Sequence, residues 1–179
     1  MILNNQIRYP LLAVKAYGIP ILLATLFSFF SGTVAAQEQP PRPMQIFANP
    51  GQGLLFGAFV HGTTGGTVIM NANGIRSSTG DVILLGLGNN FSPAIYEVEA
   101  NSGTVVNIMN GADIPLTGSN GGTIMLHLGT ADVGSPFIVN TQSPVRMQVR
   151  IGGTLTIGNA LVNPPGAYSG TYQVTFIQE

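Results

Sequence analysis

Val145-Arg146-Met147-Gln148-Val149-Arg150-Ile151 alternates apolar and polar side chains at every step. A period of two belongs to a strand, so Val145, Met147, Val149 and Ile151 share one face, and Arg146, Gln148 and Arg150 share the other. Beyond Gly152-Gly153, Thr154–Ile157 reads as another short strand. The pattern recurs on both sides. Ala94–Glu99 sets Ala94, Tyr96 and Val98 against Ile95, Glu97 and Glu99. At the C-terminus, Tyr168–Ile177 sets Tyr168, Gly170, Tyr172, Val174 and Phe176 against Ser169, Thr171, Gln173, Thr175 and Ile177.

Working outward, Met44–Ala48 places Met44, Ile46 and Ala48 on one face, and Leu54–Val60 does the same with Leu54, Phe56, Ala58 and Val60. Thr67–Asn71 and Ile75–Ser77 flank Asn71-Ala72-Asn73-Gly74, whose Asn-Gly step tolerates positive φ and predicts a hairpin turn. Asp81–Leu87 is a continuous apolar run, expected of a central strand buried on both faces. Val105–Met109, Ile114–Thr117, Thr123–Leu128 and Pro136–Val139 complete the set, with turns at Asn110-Gly111 and Asn120-Gly121-Gly122. No stretch holds a 3.6-residue apolar period over three turns. Roughly ten short strands without helices to carry parallel crossovers predict an all-β, Ig-like Greek-key antiparallel β-sandwich over 44–179.

The N-terminus reads differently. Arg8 and Lys15 are the only charges before residue 37, the run from Ala16 to Phe30 is uncharged, and small residues from Ser31 to Ala36 follow. This is the order of a signal peptide over 1–36, with cleavage expected between Ala36 and Gln37 and no membrane span left afterwards. Gln37–Pro43, with three prolines, reads as an extended Pro-rich lead-in. The expected address is therefore outside the cytoplasm: periplasm, cell surface or medium.

Composition narrows the function. Only 7% of the 179 residues are charged, against roughly 25% in an average domain, and the formal net charge is −1. Past residue 37 no lysine remains and four arginines face seven acids, so a phosphate-binding basic patch is excluded, and with it nucleic acid as partner. The absence of cysteine excludes disulfides, thiolate metal sites and thiol nucleophiles.

Chemistry is sparse. His61 and His127 end apolar strands and fall short of the three or four convergent ligands a zinc ion needs. Glu97 and Glu99 share a strand face, a pair that suits glycosidase work but more often marks a solvated sheet surface. Gly86-Leu87-Gly88 lacks the third glycine and the helix of a dinucleotide site. Asp113 and Asp132 sit in loops without a calcium-loop spacing. The aromatic side chains fall at core-facing positions. No catalytic, cofactor-binding or metal-ligating residue is predicted, and the chain is not expected to be an enzyme.

The most specific stretch is the last. Ile151–Glu179 reads G-G-x-L-x-I-G, then P-P-G-x-Y-x-G-x-Y-x-V-T-F; Phe56-Gly57-Ala58-Phe59, Gly65–Ile69 and Gly74–Arg76 fit the same pattern. It resembles the signature of a bacterial family of secreted, uncharacterised domains, itself similar to spore-coat-protein-U-type and fimbrial subunits of chaperone–usher pili. That resemblance implies a surface subunit that pairs strands with copies of itself or with other subunits, with a periplasmic chaperone as a further partner. It makes Tyr168, Tyr172, Val174 and Phe176 the candidate assembly strand, and Met44, Ile46 and Ala48 the candidate donor segment. Gly166, fourteenth from the end, matches the pilin pattern, whereas Gln178 stands where pilins carry an aromatic. The alternative expectation is a monomeric secreted module that recognises carbohydrate or protein through loops such as Asn71–Gly74 and Gly118–Gly122.

Overall fold

The computed structural model describes residues 42–179; the expected signal peptide 1–36, its cleavage point and lead-in residues 37–41 lie outside the described residues. Arg42 and Pro43 are exposed and precede the first strand. In chain order the strands are β1 (Gln45–Ala48), β2 (Leu55–Phe56), β3 (Phe59–Met70), β4 (Arg76–Leu84), β5 (Phe91–Ser92), β6 (Ala94–Glu99) and β7 (Val105–Asn110). They continue as β8 (Ile114–Gly118), β9 (Thr123–Ala131), β10 (Phe137–Ile138), β11 (Met147–Ile157), β12 (Tyr168–Ser169) and β13 (Val174–Gln178). A single 3-10 turn, Pro50–Gln52, is the only helical element among the described residues.

The antiparallel β-sandwich anticipated from the alternation is present, built around β11. One edge of β11 pairs with β9, and the other pairs first with β6 and then with β3. The main sheet extends from there to β1 beyond β6, to β4 beyond β3, and to β8 and β12 beyond β9. Val149, Ile151, Leu155 and Ile157 are all buried on one face of β11, so a single inner face runs its length. Gly152 makes this junction possible: a Cβ there would meet the Met70 carbonyl oxygen at 2.1 Å. Val145–Ile151 and Thr154–Ile157 are therefore one strand. Val145 itself lies before the strand and is exposed.

Over the inner face lies a second layer in two pieces: a three-stranded sheet, β10-β7-β13, and the β2-β5 ribbon, which share no ladder. Val98, Val106, Phe137, Val149 and Ile151 form one core beneath the three strands. Val68, Met70, Leu126, Leu155 and Ile157, with Phe56, form a second core toward the ribbon. Val174 packs against both.

Three expectations change. Asp81–Leu87 is not a central strand: β4 ends at Leu84, pairs only with β3, and leaves Ile83 64% exposed. Continuous apolarity does not distinguish a doubly covered strand from an edge. Leu54–Val60 breaks at Gly57, which adopts φ +69°, so Phe59 rather than Val60 turns inward. Tyr168–Ile177 is two strands in different sheets, β12 on β8 and β13 on β7, with the chain crossing between layers over Gly170–Gln173. The Asn71–Gly74 hairpin forms as expected, closed by the Gly74 N–H donating to the Asn71 carbonyl at 3.0 Å.

Candidate functional site

The gap in the second layer is a cleft of about 750 Å³. Its floor is the inner face of the main sheet, with Leu116, Ile124, Leu126 and Leu155. One wall is Leu54–Phe59, and the other is Pro164–Tyr172. Its most polar side chains are His61, Asn89 and Asn90, and among the described residues no carboxylate, lysine or arginine lines it. The volume falls in the range of small-molecule pockets, but an open trough between two strand edges suits an extended chain equally well.

Backbone pairing stops along one wall. Gly170, Thr171 and Tyr172 make no backbone-to-backbone hydrogen bond among the described residues, and β13 pairs with β7 alone. Gly170–Tyr172 therefore leaves backbone donors and acceptors unpaired beside the apolar floor, and β13, which follows it outside the cleft lining, has one edge without a strand partner among the described residues. Near its far end this edge is approached by β1, where the Met44 N–H donates to the Gln178 side-chain oxygen at 3.0 Å.

The opposite wall is held by Arg76. Its Nη1 donates to the carbonyls of Phe56 (2.8 Å) and Ala58 (3.2 Å), and its Nη2 donates to the carbonyl of Leu85 (3.0 Å). The guanidinium also lies 4.5 Å from the centroid of the Phe91 ring. Gly57 is favoured beneath it by its φ of +69°, and a Cβ there would press the guanidinium at 2.4 Å from Nη1. The two short motifs Phe56–Phe59 and Gly74–Arg76 thus meet in space as one unit. Only their separate spacing was visible in the sequence.

Of the assembly-strand residues, Tyr168, Tyr172 and Val174 pack on the core toward the ribbon, and Val174 and Phe176 on the other core. Their inward alternation holds, and Tyr168 and Tyr172 also line the cleft. The Tyr168 hydroxyl donates to the Pro164 carbonyl at 2.7 Å. Tyr96 stacks on Phe176 at 5.3 Å; burial, with Tyr172 nearby, pushes its hydroxyl above the ordinary tyrosine range.

Met44–Ala48 lies elsewhere. β1 pairs with β6 of its own chain, Met44 and Ile46 reach the core, and Ala48 is exposed. Phe47 carries the contact that the alternation passed over, with the Arg146 guanidinium 3.6 Å from its ring centroid. Arg146 also bonds Glu97 at 2.9 Å and lies 3.5 Å from Glu99. The two carboxylates are thus engaged in an exposed ion-pair cluster spanning three strands, and they hold the Arg146 guanidinium above its usual range. The histidines keep separate partners: His61 Nε2 donates to the Asn163 carbonyl, and His127 Nδ1 meets Asp113 at 2.7 Å on an exposed surface. Among the described residues no three His, Asp or Glu side chains converge as a metal site would require. Phe91, expected in the core, is 46% exposed and serves as the seat for Arg76.

These features define an antiparallel β-sandwich with an interrupted covering layer. Residues 45–177 match the family described as Domain of unknown function (DUF4402), and the chain belongs to it. Neither the curated proteins nor the solved structures contain a match to the chain.

Proposed function

We propose that this protein is an exported structural or surface subunit, fimbria-like in its mode of assembly, that associates by strand pairing. The observation that carries the reading is the break in the second layer. An apolar floor lies open beside the unpaired segment Gly170–Tyr172, which leads into β13. An added strand with alternating apolar side chains would satisfy the edge through its backbone and cover the floor through its side chains. The resemblance of Ile151–Glu179 to spore-coat-protein-U-type and pilin subunits supports the same role, with a periplasmic chaperone as a transient occupant.

The test is light scattering behind a sizing column on the chain expressed in full and recovered from a periplasm, followed by a melt of the monomer fraction. Polymers, above a monomer fraction that melts low, are the expected result. A chain that stays a stable monomer would overturn the reading. It would favour instead a monomeric module binding carbohydrate or protein through its loops. That second reading has its own observation: Asn71, Ala72 and Asn73 line a separate, more polar cavity of about 390 Å³ with Asp132 and Gly152.

A further inference from the structure

We infer that Arg76 is the positioning residue of the cleft, a latch that ties the β2 wall to the Leu85–Asn90 loop and holds that wall in place. Arg76 stands at the start of β4, outside the cleft lining, yet its contacts converge on the segments that form one wall. Phe56 and Ala58 belong to the wall itself. Leu85 opens the loop that brings Asn89 and Asn90 to the lining, and the Leu85 N–H donates to the Ala58 carbonyl at 2.9 Å. Phe91, under the guanidinium, belongs to β5, the only ladder partner of β2 among the described residues.

The chemistry is that of a clamp. A guanidinium offers donors in a fixed planar fork, so one side chain can bind several carbonyls at set angles. No carboxylate pairs with Arg76 among the described residues. Its charge is met by three carbonyl dipoles and an aromatic face, and charge-assisted bonds of this kind are the stronger ones. The β2-β5 ribbon has only two residue pairs of its own. A ribbon of that length does not hold its place by pairing alone. The latch matters for function only if the cleft accepts a strand, which is the reading proposed above.

The test is amide exchange in the full-length chain carrying Arg76→Met, Arg76→Lys or Gly57→Ala, read alongside self-association of the chain by light scattering. Gly57→Ala keeps the arginine but displaces its guanidinium and strains the φ +69° backbone at Gly57, so it serves if Arg76→Met does not fold, with exchange at Leu85–Phe91, away from that strain, as the deciding readout. Arg76→Met and Gly57→Ala are each expected to speed exchange at Phe56–Ala58 and Leu85–Phe91 about tenfold while β11 keeps its protection. Self-association should weaken by a similar factor, and Arg76→Lys should recover part of both effects. Unchanged exchange in the two segments, or acceleration spread evenly through β11, would overturn the latch. A wild-type chain that stays monomeric would sink the strand-acceptor reading instead, and the exchange pattern would still decide the role of Arg76.

Discussion

Asn163 is the one polar side chain fully withdrawn from solvent among the described residues, at 1% exposure. Its Oδ1 accepts from the Gly158 N–H, its Nδ2 donates to the Thr123 carbonyl, and its own carbonyl receives His61. It therefore pins the turn before Pro164 and Pro165, where one cleft wall begins. Asn163→Ala would leave the half-buried Gly158 N–H and the Thr123 carbonyl without their partner and a void at a buried position. We expect a loss of about 2–3 kcal/mol in urea unfolding. Tyr96 carries the residue-scale pH dependence. Its folded-state hydroxyl titrates above the ordinary value because burial disfavours the phenolate. The stabilising contribution is whole below the unfolded tyrosine pKa, about 10, and is lost as the pH rises above that value, because the unfolded chain then releases a proton the folded chain retains. Melting temperatures followed from neutral to strongly alkaline pH should fall more steeply for the wild type than for Tyr96→Phe.

At the scale of the element, β13 is the sharpest case. Val174 faces both cores and Thr175 faces out. Val174→Asp would bury an unpaired charge and should abolish cooperative unfolding or assembly, whereas Thr175→Asp should melt within a few degrees of the wild type. An intact melt and intact association for Val174→Asp would refute the inward assignment. β11 and β6 were legible from alternation alone, because each has one face on the core and one away from it. β4 was not, because Asp81–Leu87 presents apolar residues to both faces while the fold covers only one. The C-terminal alternation was right about direction and silent about partners: Tyr168 and Phe176 both point inward, yet they belong to different sheets. The Arg76 unit was beyond reach of the sequence, since 20 residues separate Arg76 from Phe56 and only the β3–β4 hairpin brings them together.

For the molecule as a whole, the unequal layers explain how a chain so poor in charge presents both a finished face and an unfinished one. The exposed Arg146–Glu97 ion pair and the His127–Asp113 contact are away from the cleft lining, and among the described residues no carboxylate, lysine or arginine lines the cleft. Association through the cleft should accordingly depend little on salt, because there are no opposed charges for ions to screen. Dissociation that rose steeply with ionic strength in sizing experiments would point to another surface. The hydrogen bond between Met44 and Gln178 has a consequence of a different kind. It places the beginning of β1 beside the end of β13, so the two ends of the domain are neighbours in space. Joining them through a short glycine-rich linker and reopening the chain at Asn73-Gly74 would reorder the strands in sequence while leaving every ladder in place. Such a circular permutant should fold, and it would give each new terminus a position at the tip of the β3–β4 hairpin.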